Sequence, residues 1–219
     1  MKKLLLTFVL SFFYVTSASA DLGVNVGVSG QAGIFAASAT ESTGTVAKGN
    51  GSEHGAAGYG SLFLEVSMAD RFMLGVDYVP DALETDTVET AKSDKGVGAV
   101  TATTVTNTLK VEFENLMTVY GAFMINDNLY VKAGSVTVDV NTKESLATGG
   151  KYADFDLDGT MLGIGYHNAM DNGLFFRFEG TYLEFDSTTI SSTGTASDNK
   201  ITLGQLDGVT GKLSVGKTF

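Results

Sequence analysis

The final eleven residues constrain this chain most. From Val209 to Phe219 the odd positions read Val, Gly, Leu, Val, Lys, Phe, and the even positions read Thr, Lys, Ser, Gly, Thr. A period of two marks a β-strand with one apolar face and one polar or small face. The strand ends on an aromatic residue, Phe219. A strand whose apolar face meets lipid must be paired along both edges, because unpaired backbone groups are not tolerated in hydrocarbon. The pattern therefore predicts a closed barrel in which the last strand pairs with the first.

The other end reads as a leader. Met1-Lys2-Lys3 precedes an apolar run from Leu4 to Val15, then Ala18-Ser19-Ala20. A charged start, a short apolar core and a small-x-small site are the parts of a cleaved secretory signal. We expect residues 1–20 to be removed and one barrel domain over 21–219. The run falls short of the roughly 20 residues a membrane helix needs, and no later stretch approaches that length.

Without Lys2 and Lys3, 12 of the 14 basic residues remain against 25 acidic ones, a net charge of −13. That balance disfavours nucleic acid as a partner. There is no cysteine, which excludes disulfides, thiolate metal sites and cysteine nucleophiles. The sequence implies no cofactor.

Alternation recurs along the chain. Leu22, Val24, Val26, Val28, Ala32 and Ile34 stand opposite Asn25, Ser29 and Gln31. Further alternating runs cover 61–68, 72–79, from Thr103 through about 124, 129–140, 154–166, 174–182 and from Ile201 onward. Phe63 interrupts the polar face of the second run. Parity is ambiguous after Asn115, where a bulge would exchange the two faces, and the apolar parity shifts again at Val136, Val138 and Val140. Eight strands result. Polar stretches at about 39–57, 81–102, 141–153 and 186–199 read as long loops, and the remaining connections, such as Ala69-Asp70-Arg71 and Asn126-Asp127-Asn128, are short turns. Strict alternation of long loops and short turns matches transmembrane barrels, and a soluble barrel has no physical need for it.

Taken together, the leader, the eight alternating runs and the terminal Phe219 resemble the small bacterial outer-membrane β-barrels of the OmpA, OmpX and OmpW type. Lys217 departs from the pattern, since such tails carry an aromatic or aliphatic residue there; its ammonium can snorkel to the headgroups. The resemblance implies an all-β, eight-stranded, antiparallel up-and-down transmembrane barrel in the outer membrane of a Gram-negative cell. It also implies a monomer in contact with lipid and lipopolysaccharide, and a C-terminal signal (Leu213, Val215, Phe219) read by the barrel-assembly machinery.

With the apolar faces turned to lipid, Glu65, Asp77, Lys110, Glu112, Lys132, Arg177 and Glu179 point into the lumen, as do Asn25, Ser29, Gln31 and Lys212. Eight strands enclose a space that side chains can fill. Opposite charges there form either an ion-pair network that plugs the barrel or the lining of a water-threaded path. The two histidines, His54 and His167, fall at opposite ends of such a barrel and cannot share a site, so no catalytic or metal centre is expected. Asp154, Asp156 and Asp158 alternate with Phe155 and Leu157 as the polar face of a strand near the outer rim. The expected function is non-enzymatic, presenting four surface loops in the cell envelope. The alternative is a narrow channel for small solutes or apolar molecules, with a continuous wet lumen or a lateral opening at Pro80 or Gly134.

Overall fold

The structure is a computed structural model that describes residues 22–43, 46–69, 71–94, 96–98, 100–147, 149–193 and 199–219. The expected signal segment lies outside the described residues.

Twelve strands are present among the described residues: β1 (Leu22–Thr43), β2 (Val46–Met68), β3 (Phe72–Tyr78), β4 (Leu83–Glu84), β5 (Val88–Asp94), β6 (Thr103–Met124), β7 (Leu129–Ser145), β8 (Lys151–Tyr152), β9 (Phe155–Ala169), β10 (Leu174–Phe185), β11 (Thr188–Thr193) and β12 (Asn199–Thr218). Eight of them form an antiparallel ring in the order β1-β2-β3-β6-β7-β9-β10-β12, and β12 returns to β1. That closing ladder runs from Asn25↔Thr218 to Thr43↔Asn199. Phe219 extends it by exchanging backbone hydrogen bonds with Val24 at 2.9 and 3.1 Å.

Direct partners followed round the ring from Leu22 pass through Met68, Phe72, Phe123, Val131, Ile164, Gly180 and Gly211 to Ala32. The path returns to β1 ten residues above its start, which tilts the strands by roughly 40°.

The turns at one end are tight for local reasons. Asn126 Oδ1 accepts from the N–H groups of Asn128 and Leu129, both at 2.9 Å, and Asn172 Oδ1 accepts from Leu174 N at 3.0 Å. Such Asx turns replace backbone bonds in a chain reversal. Gly173 takes a φ of 81°, open to glycine without a Cβ penalty.

At the other end the expected loops are largely strand. Residues 39–43 and 46–57 continue the β1–β2 ladder to Thr43↔Val46. Within 81–102, β4 and β5 pair with β6. Part of 141–153 prolongs β7, and β11 pairs with β12 within 186–199. Here both faces meet water, so no apolar period is required, and the backbone ladder carries the strands on.

On the lower half of the barrel the apolar face is outside. Val28, Leu62, Leu162, Phe178 and Leu213 are exposed, and together they form the belt that identifies a lipid-facing barrel. Lys217 also faces outward near the lower rim, its Nζ 5.1 Å from the Phe219 ring. Above the belt the polarity inverts. Val136, Val138, Val140, Leu157, Met161, Leu183 and Phe185 are buried inside, while Asp156, Asp158 and Glu184 lie outside and exposed. On β7 the inversion needs no bulge, since its ladder with β9 runs unbroken from Leu129↔Tyr166 to Val140↔Phe155. On β6 it does. The register shifts between Glu114 and Met117, and Asn115 has a φ of 53°, a left-handed conformation that asparagine tolerates. This bulge resolves the ambiguous parity after Asn115: Tyr120 and Met124 point inward, and Val119 and Phe123 outward.

Inside, aromatic rings lie over glycines. Phe63 faces Gly27, Tyr120 lies between Gly75 and Gly134, Tyr130 faces Gly165, and Phe175 faces Gly216, each a direct cross-strand partner. A Cβ at Gly27, Gly75, Gly165 or Gly216 would run into the ring opposite, and one at Gly134 into the Val119 carbonyl and the Cα and Cβ of Tyr120. Small and large residues thus alternate across facing positions, which fills a narrow interior.

Candidate functional site

The interior of the membrane-level half is a buried charge network. Short turns fix the lower strand ends, and the ring register then carries charged side chains from five strands to the axis. Arg177 on β10 donates through Nη1 to Glu65 Oε1 on β2 at 2.6 Å. Glu65 also accepts from Tyr120 Oη at 2.6 Å and from Asn25 Nδ2 at 3.2 Å, which occupies both carboxylate oxygens. Arg177 Nε donates to His167 Nδ1 at 2.9 Å, and its guanidinium carbon stands 4.5 Å from the centre of the Phe175 ring.

A second group lies beside the first. Lys132 Nζ is 2.8 Å from Glu179 Oε1 and 4.1 Å from the centre of the Tyr120 ring. Lys212 Nζ reaches Glu179 Oε2 at 3.6 Å and donates to Asp77 Oδ2. Glu65, Asp77 and Glu179 therefore face Lys132, Arg177 and Lys212, three charges of each sign, all buried. Ser29 and Ser61 share a hydrogen bond of 2.5 Å. Charges taken out of water are tolerable only when paired and hydrogen-bonded in this way.

Gln31, Tyr59, Asp77, Lys132, Val136 and Lys212 help to line a cavity of about 30 Å³ between this network and the apolar core above it, enough to hold water. The paired charges brace the barrel from inside and occupy its membrane-level interior.

The structure places five of the seven residues expected in the lumen there: Glu65, Asp77, Lys132, Arg177 and Glu179. Lys110 and Glu112 are a correction. Both lie above the β6 bulge, where Val111 and Phe113 turn toward the interior core and the charged residues face outward. Lys110 binds Glu84 at 2.6 Å and Glu112 at 3.6 Å, and Glu112 also meets Lys143 at 3.3 Å, on the outside. Sequence reasoning missed the aromatic members, Tyr120, Tyr130 and Phe175. The available signal was an aromatic residue at lumen parity opposite a glycine. His167 meets Arg177 because the two are direct partners across β9 and β10. His54 sits on the prolonged part of β2, and no group of three His, Asp or Glu side chains able to hold a metal exists among the described residues.

The ladder is interrupted beside Pro80. β2 pairs with β3 only as far as Leu62↔Tyr78, and β4 and β5 pair with β6 and not with β2. Pro80, which has no N–H to donate, stands at that break. Gly134 does not open the wall: its ladders to Tyr120 and Met161 are intact.

No protein-family model and no curated protein matches the chain. Solved structures do. The outer membrane protein OprG from Pseudomonas aeruginosa is 13% identical, with a TM-score of 0.53 over 90% of this chain and 96% of that one. The outer membrane protein AlkL, solved in DMPC bilayers, is 11% identical, with a TM-score of 0.49 over 94% of each chain. Ail, the attachment invasion locus protein of Yersinia pestis, is 13% identical, with a TM-score of 0.37 over 88% of this chain and 99% of that one. At such identities the likeness is one of fold. The belt of exposed apolar side chains, the closed eight-membered ring and the match to OprG agree: this chain has the fold of a small bacterial outer-membrane β-barrel.

Proposed function

We propose that the protein resides in the outer membrane as a monomeric, non-enzymatic barrel with a closed lumen, and that it acts through the strand extensions it holds outside the cell. The observation that carries this reading is the stacking of two different plugs. A balanced ion network occupies the membrane level, an apolar core lies directly above it, and a cavity of about 30 Å³ lies between them. Ions crossing the barrel would have to break the first plug and enter the second without solvation, which is unfavourable. The exposed C-terminal face of Leu213, Val215 and Phe219 serves in this reading as the assembly signal, and lipid and lipopolysaccharide surround the belt.

Single-channel recording of the refolded chain in planar bilayers tests the closed lumen. Protein shown to be folded is expected to give no steady conductance steps. Reproducible cation-selective steps would overturn the reading.

The break beside Pro80 favours a second reading, a lateral path for apolar molecules between β2 and β3. A Gly58→Cys/Ala82→Cys crosslink across the break tests it. Under this reading wild-type protein speeds decane entry into liposomes, and the crosslink abolishes the effect. Equal entry with and without the protein removes it.

A further inference from the structure

Above Val140↔Phe155 the β7–β9 ladder stops, and β8 pairs with β11 through Ser192↔Tyr152 and Thr193↔Lys151. Side chains take over the link between β7 and β8. Thr142 N donates to Asp154 Oδ1 at 3.0 Å, Thr142 Oγ1 to Tyr152 O at 3.1 Å, and Tyr152 N to Glu144 Oε1 at 2.8 Å. These links hold the two strands apart, and an open groove of about 520 Å³ remains, lined by Thr108, Thr142, Lys143, Glu144, Lys151 and Tyr152 among others.

The lining is specific in chemistry. Glu144 Oε2 is shielded from solvent and has no hydrogen-bond partner among the described residues, a condition that native structures rarely leave uncorrected. Lys143 and Lys151 are exposed and bring ammonium donors, and threonine hydroxyls both donate and accept. Tyr152 is half-buried and adds an aromatic surface. The groove has no apolar wall for an acyl chain, and its mixed charges suit neither a polyanion nor a polycation. Donors, acceptors and one aromatic side chain within a shallow trough complement a ligand dense in hydroxyl groups.

We propose that this groove binds a short oligosaccharide, with the unpartnered Glu144 Oε2 turning out of its shielded position to accept from sugar hydroxyls and Lys143 and Lys151 donating to ring or acidic substituents. The proposal rests on the outward placement of the strand extensions and not on whether the lumen conducts. The same chemistry is offered by the lipopolysaccharide core of the cell's own envelope and by a foreign glycan.

The test is calorimetric titration of the refolded chain, in micelles free of lipopolysaccharide, with delipidated lipopolysaccharide core oligosaccharide and with chitotriose. Folding of each variant is checked by heat-modifiable gel migration. Binding of either probe is expected, weakened about tenfold or more by Glu144→Gln and unchanged by Asp171→Asn in a turn at the other end. Lys151→Ala carries the comparison if Glu144→Gln fails to fold. Preference for the core oligosaccharide assigns the ligand to the cell's own surface, and preference for chitotriose assigns it to an external glycan. Absence of binding by both probes, or undiminished binding in the folded variants, overturns the proposal.

Discussion

Arg177 Nη1 donates to Glu65 Oε1 at 2.6 Å across 112 residues of sequence. Both side chains are almost completely buried, so neither can fall back on water when the other is removed. Glu65→Ala is expected to destabilise the barrel by about 3–5 kcal/mol, the cost of stranding a buried charge. The paired change Glu65→Met/Arg177→Met is expected to cost far less, because it removes both charges together. Urea unfolding in lipid vesicles measures both. An equal loss in the double variant would show that the pair itself holds the barrel together.

The core above the membrane level behaves as a soluble-protein interior. Leu157 is 2% exposed among Val136, Val138 and Phe185. Leu157→Ala is expected to cost about 2–5 kcal/mol through lost burial and the cavity left behind. Asp158→Ala, one residue along and facing water, is expected to change stability by less than about 0.5 kcal/mol. Thermal unfolding of the two variants side by side checks the inversion. A reversed order of effects would contradict it.

Gly165 lies under the Tyr130 ring, and a Cβ there would collide with it. Gly165→Ala is expected to cost about 1–3 kcal/mol by overpacking. Adding Tyr130→Leu is expected to recover part of the loss. An additive double variant would separate the glycine from the ring.

Glu114, Asp139 and Asp156 are successive direct partners across β6, β7 and β9 on the outer face. Like charges directly opposite one another destabilise a sheet. Asp156→Asn is expected to raise stability by about 0.2–1 kcal/mol, with the gain shrinking as salt screens the repulsion. A stability loss independent of salt would assign Asp156 a favourable contact instead.

Much of this was legible in the residues. Alternation from Leu22 and from Val209 announced the first and last strands, and Asn126-Asp127-Asn128 announced a turn that Asn126 Oδ1 does close. Five of the seven lumen charges were also legible, since each occupies the polar parity of a run whose apolar face meets lipid. Lys110 and Glu112 were misplaced because period two reports only that two faces differ. It does not report which face is inside. The prolonged strands at 39–57 read as loop because Ser, Thr and Gly paired in water leave no apolar period.

By itself the sequence determined a strand-built chain, its short turns, its cysteine-free acidic character and the need to close the first strand on the last. Those properties follow from local pattern and from the intolerance of lipid for unpaired backbone. Only the tertiary structure decided which face of each strand is the interior, and where that changes. Between Ala133 and Val136 the apolar side chains pass from the outer face to the inner one without a break in the ladder. The structure also decided which charges meet, because Arg177 finds Glu65 through the ten-residue stagger of the ring, a relation that no stretch of the chain contains.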